Sequence, residues 1–221
     1  MKEDRPTLAV IGGTGNLGHA LAERWAAAGY EVIVGSRSAE RAEEAAAQLS
    51  GVGGAEPRGL ANEAAAEEAD IVVLAVPFAS QTKILQAIAN AVGDKLVVDT
   101  TVPLVPPKVA RAQMPEAGSA AMMARCALGD GARIVSAFHN VAAHKLKQEG
   151  DVDCDVLVFG DDPADRKIVI GLAGAIGLRG VHCGVLANSV AAEALTSILI
   201  GINKRYKADG AGIRITGLPS V

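Results

Sequence analysis

Hydrophobic positions in the chain fall into short unbroken runs separated by longer amphipathic stretches. Runs at Leu8-Ala9-Val10-Ile11, Val32-Ile33-Val34, Ile71-Val72-Val73-Leu74-Ala75-Val76, Leu96-Val97-Val98 and Ile134-Val135 do not alternate with polar residues. Such runs fit strands buried on both faces of a parallel sheet. Between them the pattern predicts helices over 17–28, closed by Gly29, and over 39–49, 61–68 and 80–91. In the last of these Ile84, Leu85, Ile88 and Val92 share one face. Arg58-Gly59-Leu60 fits a further short strand, and a helix over 119–128 precedes the strand at 134–137. Beyond residue 140 the pattern predicts a strand over 155–159 and a turn at Gly160-Asp161-Asp162-Pro163. That turn caps a helix over 164–176 with Pro163 at its first position. A strand near 180–182 and a long apolar helix over 186–206 complete the pattern. The helix ends in the basic turn Asn203-Lys204-Arg205-Tyr206-Lys207, which complements its dipole. Its stripe Val190, Ala194, Ile198 and Ile202 suits a core helix or a subunit interface equally well. Residues 51–57, 103–107 and 147–153 read as loops.

The first run stops at glycines, and a helical pattern begins with no gap: Gly12-Gly13-Thr14-Gly15-Asn16-Leu17-Gly18. Gly13, Gly15 and Gly18 fall on G-x-G-x-x-G between a strand and a helix, the context in which that spacing holds a dinucleotide. Gly13 is expected to allow the sharp turn, Gly15 the approach of a pyrophosphate, and Gly18 close packing of helix on strand. The helix N-terminus offers N–H donors and a positive dipole end. The second strand ends at Ser36-Arg37, about 20 residues past the glycines, where an NAD-specific fold places an acid on the ribose 2′-hydroxyl. Here a hydroxyl and a guanidinium replace the acid, and Arg41 follows one helical turn later. Arg37 suits a forked pair with a phosphate and Arg41 adds charge, which fits NADP. Ligands in open α/β sheets bind beyond the carboxyl ends of strands. Val76, Pro77 and Phe78, and then Thr100 and Val102, are therefore cofactor-side candidates. The fold class expected is α/β: a Rossmann-type doubly wound, mainly parallel sheet over residues 1–140. A small C-terminal helical extension over 141–221 is expected to complete a substrate cleft.

Composition narrows the function. The 221 residues are 50% hydrophobic but only 3% aromatic, so the core must be built from small aliphatic side chains. A net charge of −4 argues against nucleic acid or an anionic membrane as partner. No apolar run approaches the roughly 20 residues of a membrane span, and residues 1–6 carry no signal-peptide core; a cytoplasmic protein is expected. Cys126, Cys154 and Cys183 are widely spaced and form no C-x-x-C, so they read as buried thiols rather than a zinc site. Asp161 and Asp162 read as a helix cap, and no metal is expected. The chain lacks Tyr-x-x-x-Lys, H-E-x-x-H and G-x-S-x-G. This absence fits hydride transfer by stacked cofactors, which needs little acid–base help. No catalytic side chain is assigned; His139 is the one candidate acid, and His19, His144 and His182 read as surface or core residues.

Four blocks together resemble one family: Ile11-Gly12-Gly13-Thr14-Gly15-Asn16-Leu17-Gly18; Gly35-Ser36-Arg37; Ala137-Phe138-His139-Asn140-Val141; and Asn203-Lys204-Arg205-Tyr206-Lys207 through Gly212-Ile213-Arg214-Ile215-Thr216-Gly217-Leu218. The sequence resembles the NADPH-dependent reductases of the deazaflavin coenzyme F420. The resemblance implies a homodimer that moves a hydride between NADP(H) and coenzyme F420 as co-substrate. It implies that Thr14, Gly15, Asn16 and Leu17 hold the pyrophosphate and that Ser36, Arg37 and Arg41 hold the 2′-phosphate. It places His139 and Asn140 in the second-substrate cleft, flanked by the segment that holds Leu186 and Asn188. That segment departs from the family: His182-Cys183-Gly184-Val185-Leu186 stands where members read Asp-Ala-Gly-Pro-Leu, and Val190 stands for a usual Arg. Two other readings keep the dinucleotide. One is an NADPH-dependent reductase of a flavin or other small planar acceptor; the other is a non-catalytic NADP-sensing protein.

Overall fold

A computed structural model describes residues 5–49, 56–148, 150 and 152–218. The expected loops at 51–57 and 147–153 lie partly outside the described residues. The elements are β1 (Leu8–Ile11), α1 (Asn16–Ala27), β2 (Val32–Ser36), α2 (Ala39–Ala47), β3 (Arg58–Ala61), α3 (Asn62–Glu68), β4 (Ile71–Leu74), α4 (Phe78–Val92), β5 (Leu96–Asp99) and α5 (Ala120–Leu128). They continue as β6 (Ile134–Ser136), α6 (Ala143–Leu146), β7 (Asp155–Gly160), α7 (Pro163–Gly174), β8 (Arg179–His182), a 3-10 turn (Leu186–Asn188) and α8 (Ser189–Tyr206). The strands form one eight-stranded sheet in the order β3-β2-β1-β4-β5-β6-β7-β8. Neighbours are parallel except β6 and β7. The order reverses between β1 and β4, which opens a crevice beyond their carboxyl ends.

The unbroken apolar runs follow from burial on both faces. Leu8 and Val10 of β1 pack with Ala22 and Trp25 of α1 and with Leu172 of α7. Ala9 and Ile11 face the other way, into a cluster with Ala65, Leu85 and Ile88 of α3 and α4. Trp25 is the largest wholly buried side chain, and its Nε1 donates to Leu172 O at 3.0 Å. The Phe138 ring meets it edge-on at 5.8 Å.

The chain beyond residue 140 extends the same sheet through β7 and β8 before α8 begins. Its end is fixed by an ion pair. Asp155, wholly buried, takes a forked pair from Arg179 at 2.8 and 2.6 Å and also accepts from Ile215 N at 2.6 Å. These contacts hold its carboxyl below the usual range, Arg179 contributing most. The block around Gly212–Leu218 therefore folds back on β7 and β8. By length and composition, Leu186–Tyr206 is apolar enough to cross a membrane, contrary to the expectation that no run approaches a span. In this fold α8 lies on α5 and β7. The short helix α6 was not anticipated. β4 also ends two residues before its apolar run does, because the chain must turn ahead of Pro77.

Candidate functional site

The glycine turn at the end of β1 is held by two short backbone bonds, Gly13 N to Val10 O at 3.0 Å and Gly15 N to Gly12 O at 2.9 Å. The left-handed backbone sits at Gly12, with φ +83, and a Cβ there would lie 2.5 Å from Ala75 O. The sharp turn expected of Gly13 thus belongs to Gly12. Gly18 has the packing role expected of it: a Cβ would stand 2.6 Å from Gly12 O. Helix α1 starts with no side-chain cap and no acid in its first turn. Its first N–H groups have no intrahelical acceptor and point, with the positive dipole end, at the crevice.

β2 delivers Ser36 to the same rim, and Ser38 caps α2 through Arg41 N. Arg37 and Arg41 are paired with no carboxylate among the described residues. A cleft of about 550 Å³ brings Thr14, Gly15, Ser36, Arg37, Arg41, Val76 and Pro77 together. It adds residues the sequence did not mark: Gly12, Ser38, Asn62, Ala75, Ser80 and Ile84. Asn62 opens α3 and Ile84 lies within α4, and only tertiary placement reveals that both face the cleft. Asn16 lines an adjoining groove. Gly13 is buried and Leu17 packs against the core. Phe78, Thr100 and Val102 do not line the cleft. Thr100 is buried, and its hydroxyl donates to Leu74 O at 3.0 Å. Phe78 begins α4 and Val102 follows β5, both half-buried.

The four second-substrate candidates fare differently. His139 and Asn140 follow β6 through Phe138, whose backbone has φ +64. His139 is buried, with Nε2 2.7 Å from Ser136 Oγ. Burial draws its pKa down to about 3, so it is neutral at physiological pH. The Asn140 amide donates to Ala192 O at 2.9 Å and Thr196 Oγ1 at 3.1 Å, which ties the strand end to α8. Leu186 is buried in the core beside α4 and α5, and Asn188 is exposed.

Between β5 and α8 lies a buried carboxylate network that the sequence did not reveal. Asp99 accepts from Gln81 Nε2 at 2.6 Å and Thr101 N at 3.0 Å. Burial pushes its pKa up to about 6. Glu193 of α8 accepts from Ala120 N at 2.6 Å, Ala121 N at 3.2 Å and Ser189 Oγ at 3.0 Å. It caps α5 from another helix, and burial raises it to about 7 against the pull of those N–H groups. Asp162 caps α7 through Ala164 N at 2.7 Å, as expected of it. Asp161 instead pairs with Arg125 at 2.8 Å and accepts from Leu186 N at 3.0 Å.

Comparison with known proteins agrees with this geometry. Residues 7–103 match the family model for NADP oxidoreductase, coenzyme F420-dependent. An F420-dependent NADP reductase from Methanothermobacter thermautotrophicus is 40% identical, the alignment covering 96% of this chain and 95% of that protein. The F420-dependent NADP reductase of Methanocaldococcus jannaschii is also 40% identical, over 96% and 98%. A crystal structure of a putative F420-dependent NADP reductase from Arthrobacter superposes with a TM-score of 0.79, at 22% identity over 96% of this chain and 100% of that one.

Proposed function

We propose how the site divides its labour on one premise: this chain belongs to the family of coenzyme F420-dependent NADP reductases. It is an oxidoreductase that transfers a hydride between NADP(H) and coenzyme F420. The residues fit the dinucleotide. The glycine turn leaves a cradle that a Cβ would fill, the α1 N-terminus is uncapped, and two arginines stand without acids at the ribose corner.

In our reading the N–H groups around Thr14, Gly15, Asn16 and Leu17 hold the diphosphate, with Gly12 shaping the turn and Gly13 buried behind it. Ser36, Arg37 and Arg41 hold the 2′-phosphate. Val76 and Pro77 wall the cleft where the chain leaves β4, and Phe78, Thr100 and Val102 back the ring-bearing end. When bound, the nicotinamide supplies or accepts the hydride. The protein orients it and excludes water, and no side chain of this site serves as an acid. His139, neutral and hydrogen-bonded to Ser136, shapes the second-substrate end with Asn140, Leu186 and Asn188. The C-terminal part from residue 141 closes that end. We further propose a cytoplasmic homodimer with no membrane or nucleic-acid partner. The support for the dimer is the apolar face that α8 leaves exposed at Ile198 and Ile202.

The observation that carries the NADP assignment is the pair of arginines in place of an acid after β2. The activity is tested by mixing NADPH and coenzyme F420 with purified protein and following loss of deazaflavin absorbance. Turnover is expected. Tight NADPH binding without turnover contradicts coenzyme F420 as acceptor.

A further inference from the structure

The groove between α1 and α2 that adjoins the cofactor cleft carries a cation no sequence motif assigns. Thr14, Gly15, Asn16, His19 and Arg41 line it from the glycine turn and these two helices, and Lys147 from the loop after α6. Arg24, near the end of α1, holds that loop. Its Nε donates to Leu146 O at 2.6 Å and its Nη2 to Gln148 O, the carbonyls on either side of Lys147. Its Nη1 donates to Gly150 O at 2.9 Å and reaches Ile176 O at 3.4 Å. A planar guanidinium that meets several carbonyls fixes the backbone between them. Leu146, buried in the core, anchors the same point from inside. The backbone of Lys147 is thus clamped to the helix whose other end faces the cleft. The groove holds one acid, Glu44, against Arg41, Lys147 and the uncapped amides.

We propose that Lys147 contacts a phosphate of the bound dinucleotide, presented across the glycine turn by the Arg24 clamp. This rests on the cleft being the NADP(H) site. It gives the C-terminal part of the chain a direct share in cofactor binding. Both the diphosphate and the 2′-phosphate offer the required charge, and ligands carrying one or the other tell them apart.

The test is calorimetric titration of the full chain with NADPH, NADH and adenosine 2′-monophosphate at low ionic strength, alongside Lys147→Gln and Lys147→Arg. Lys147→Gln is expected to weaken NADPH about three- to fivefold, the scale of one exposed charge contact. Lys147→Arg is expected to restore it, and added salt to shrink the difference. A matching loss with NADH assigns the ammonium to the diphosphate; a matching loss with adenosine 2′-monophosphate assigns it to the 2′-phosphate. Arg24→Lys, which cannot span the carbonyls, is expected to weaken NADPH in the parent but not in the Lys147→Gln background. Unchanged NADPH affinity in Lys147→Gln, with the parent binding normally, overturns the role of Lys147 alone. A parent chain that prefers NADH overturns the underlying site as well.

Discussion

At the scale of single residues, one buried histidine and two buried carboxylates decide which charges the folded chain carries. His139 is buried beside Ser136 with its pKa near 3, so at neutral pH it is the neutral imidazole and has no imidazolium proton to give. Replacing it with Gln is therefore expected to leave the shape of the pH–rate profile unchanged above pH of about 5 while altering affinity for the deazaflavin. A profile that loses an acid limb near the ordinary histidine pKa would contradict that role. The buried acids act in the opposite sense on stability. Asp99 and Glu193 titrate near 6 and 7 when folded but from 3.8 and 4.5 when unfolded. The native state therefore binds more protons between those limits, and their contribution is full below them and lost as pH rises through 6 and 7. The His139 contribution runs the other way, full above 6.5 and lost as pH falls toward 3. Glu193→Gln is expected to flatten the decline in stability between about pH 4.5 and pH 7, read by urea unfolding at both ends. An unchanged slope would show that Glu193 stays ionised throughout.

At the scale of elements, the junction of β1 and α1 is the least forgiving place in the fold. Gly18→Ala drives a Cβ to 2.6 Å from Gly12 O, a backbone atom that cannot step aside. Overpacking of this kind costs about 1–3 kcal/mol, and the displaced helix should lose dinucleotide affinity in parallel. Thermal unfolding and NADPH titration of the variant check both; native values of either refute tight packing at this junction. This junction was legible because glycine spacing, an apolar run before it and a helical pattern after it agree. The job expected of Gly13 fell to Gly12, since spacing alone does not say which neighbour takes the left-handed backbone. The helices and strands were legible from unbroken runs and helical periodicity. What escaped were α6, too short to show a period, and the network of Gln81, Asp99 and Glu193. Its members are far apart in sequence and meet only when α8 lies on α5. Asn62 escaped for the same reason.

At the scale of the molecule, the chain past residue 140 is more than an appendage. It adds two strands to the sheet, closes the end of the chain through Asp155 and Arg179, and lays α8 over α5. The outer face of α8 leaves Ile198 52% exposed and Ile202 36% exposed. A subunit interface on that face predicts that Ile198→Glu gives a folded monomer in sedimentation velocity; an unchanged sedimentation coefficient would place any interface elsewhere. The central claim is that positive side chains at the end of β2 select a phosphorylated adenosine. It is tested most directly by calorimetric titration of the parent chain and Arg37→Ala with NADPH and with NADH. The account predicts that Arg37→Ala loses on the order of 1.5–3 kcal/mol of NADPH binding while NADH binding stays the same. Equal losses for both dinucleotides, or a parent chain that prefers NADH, would contradict it.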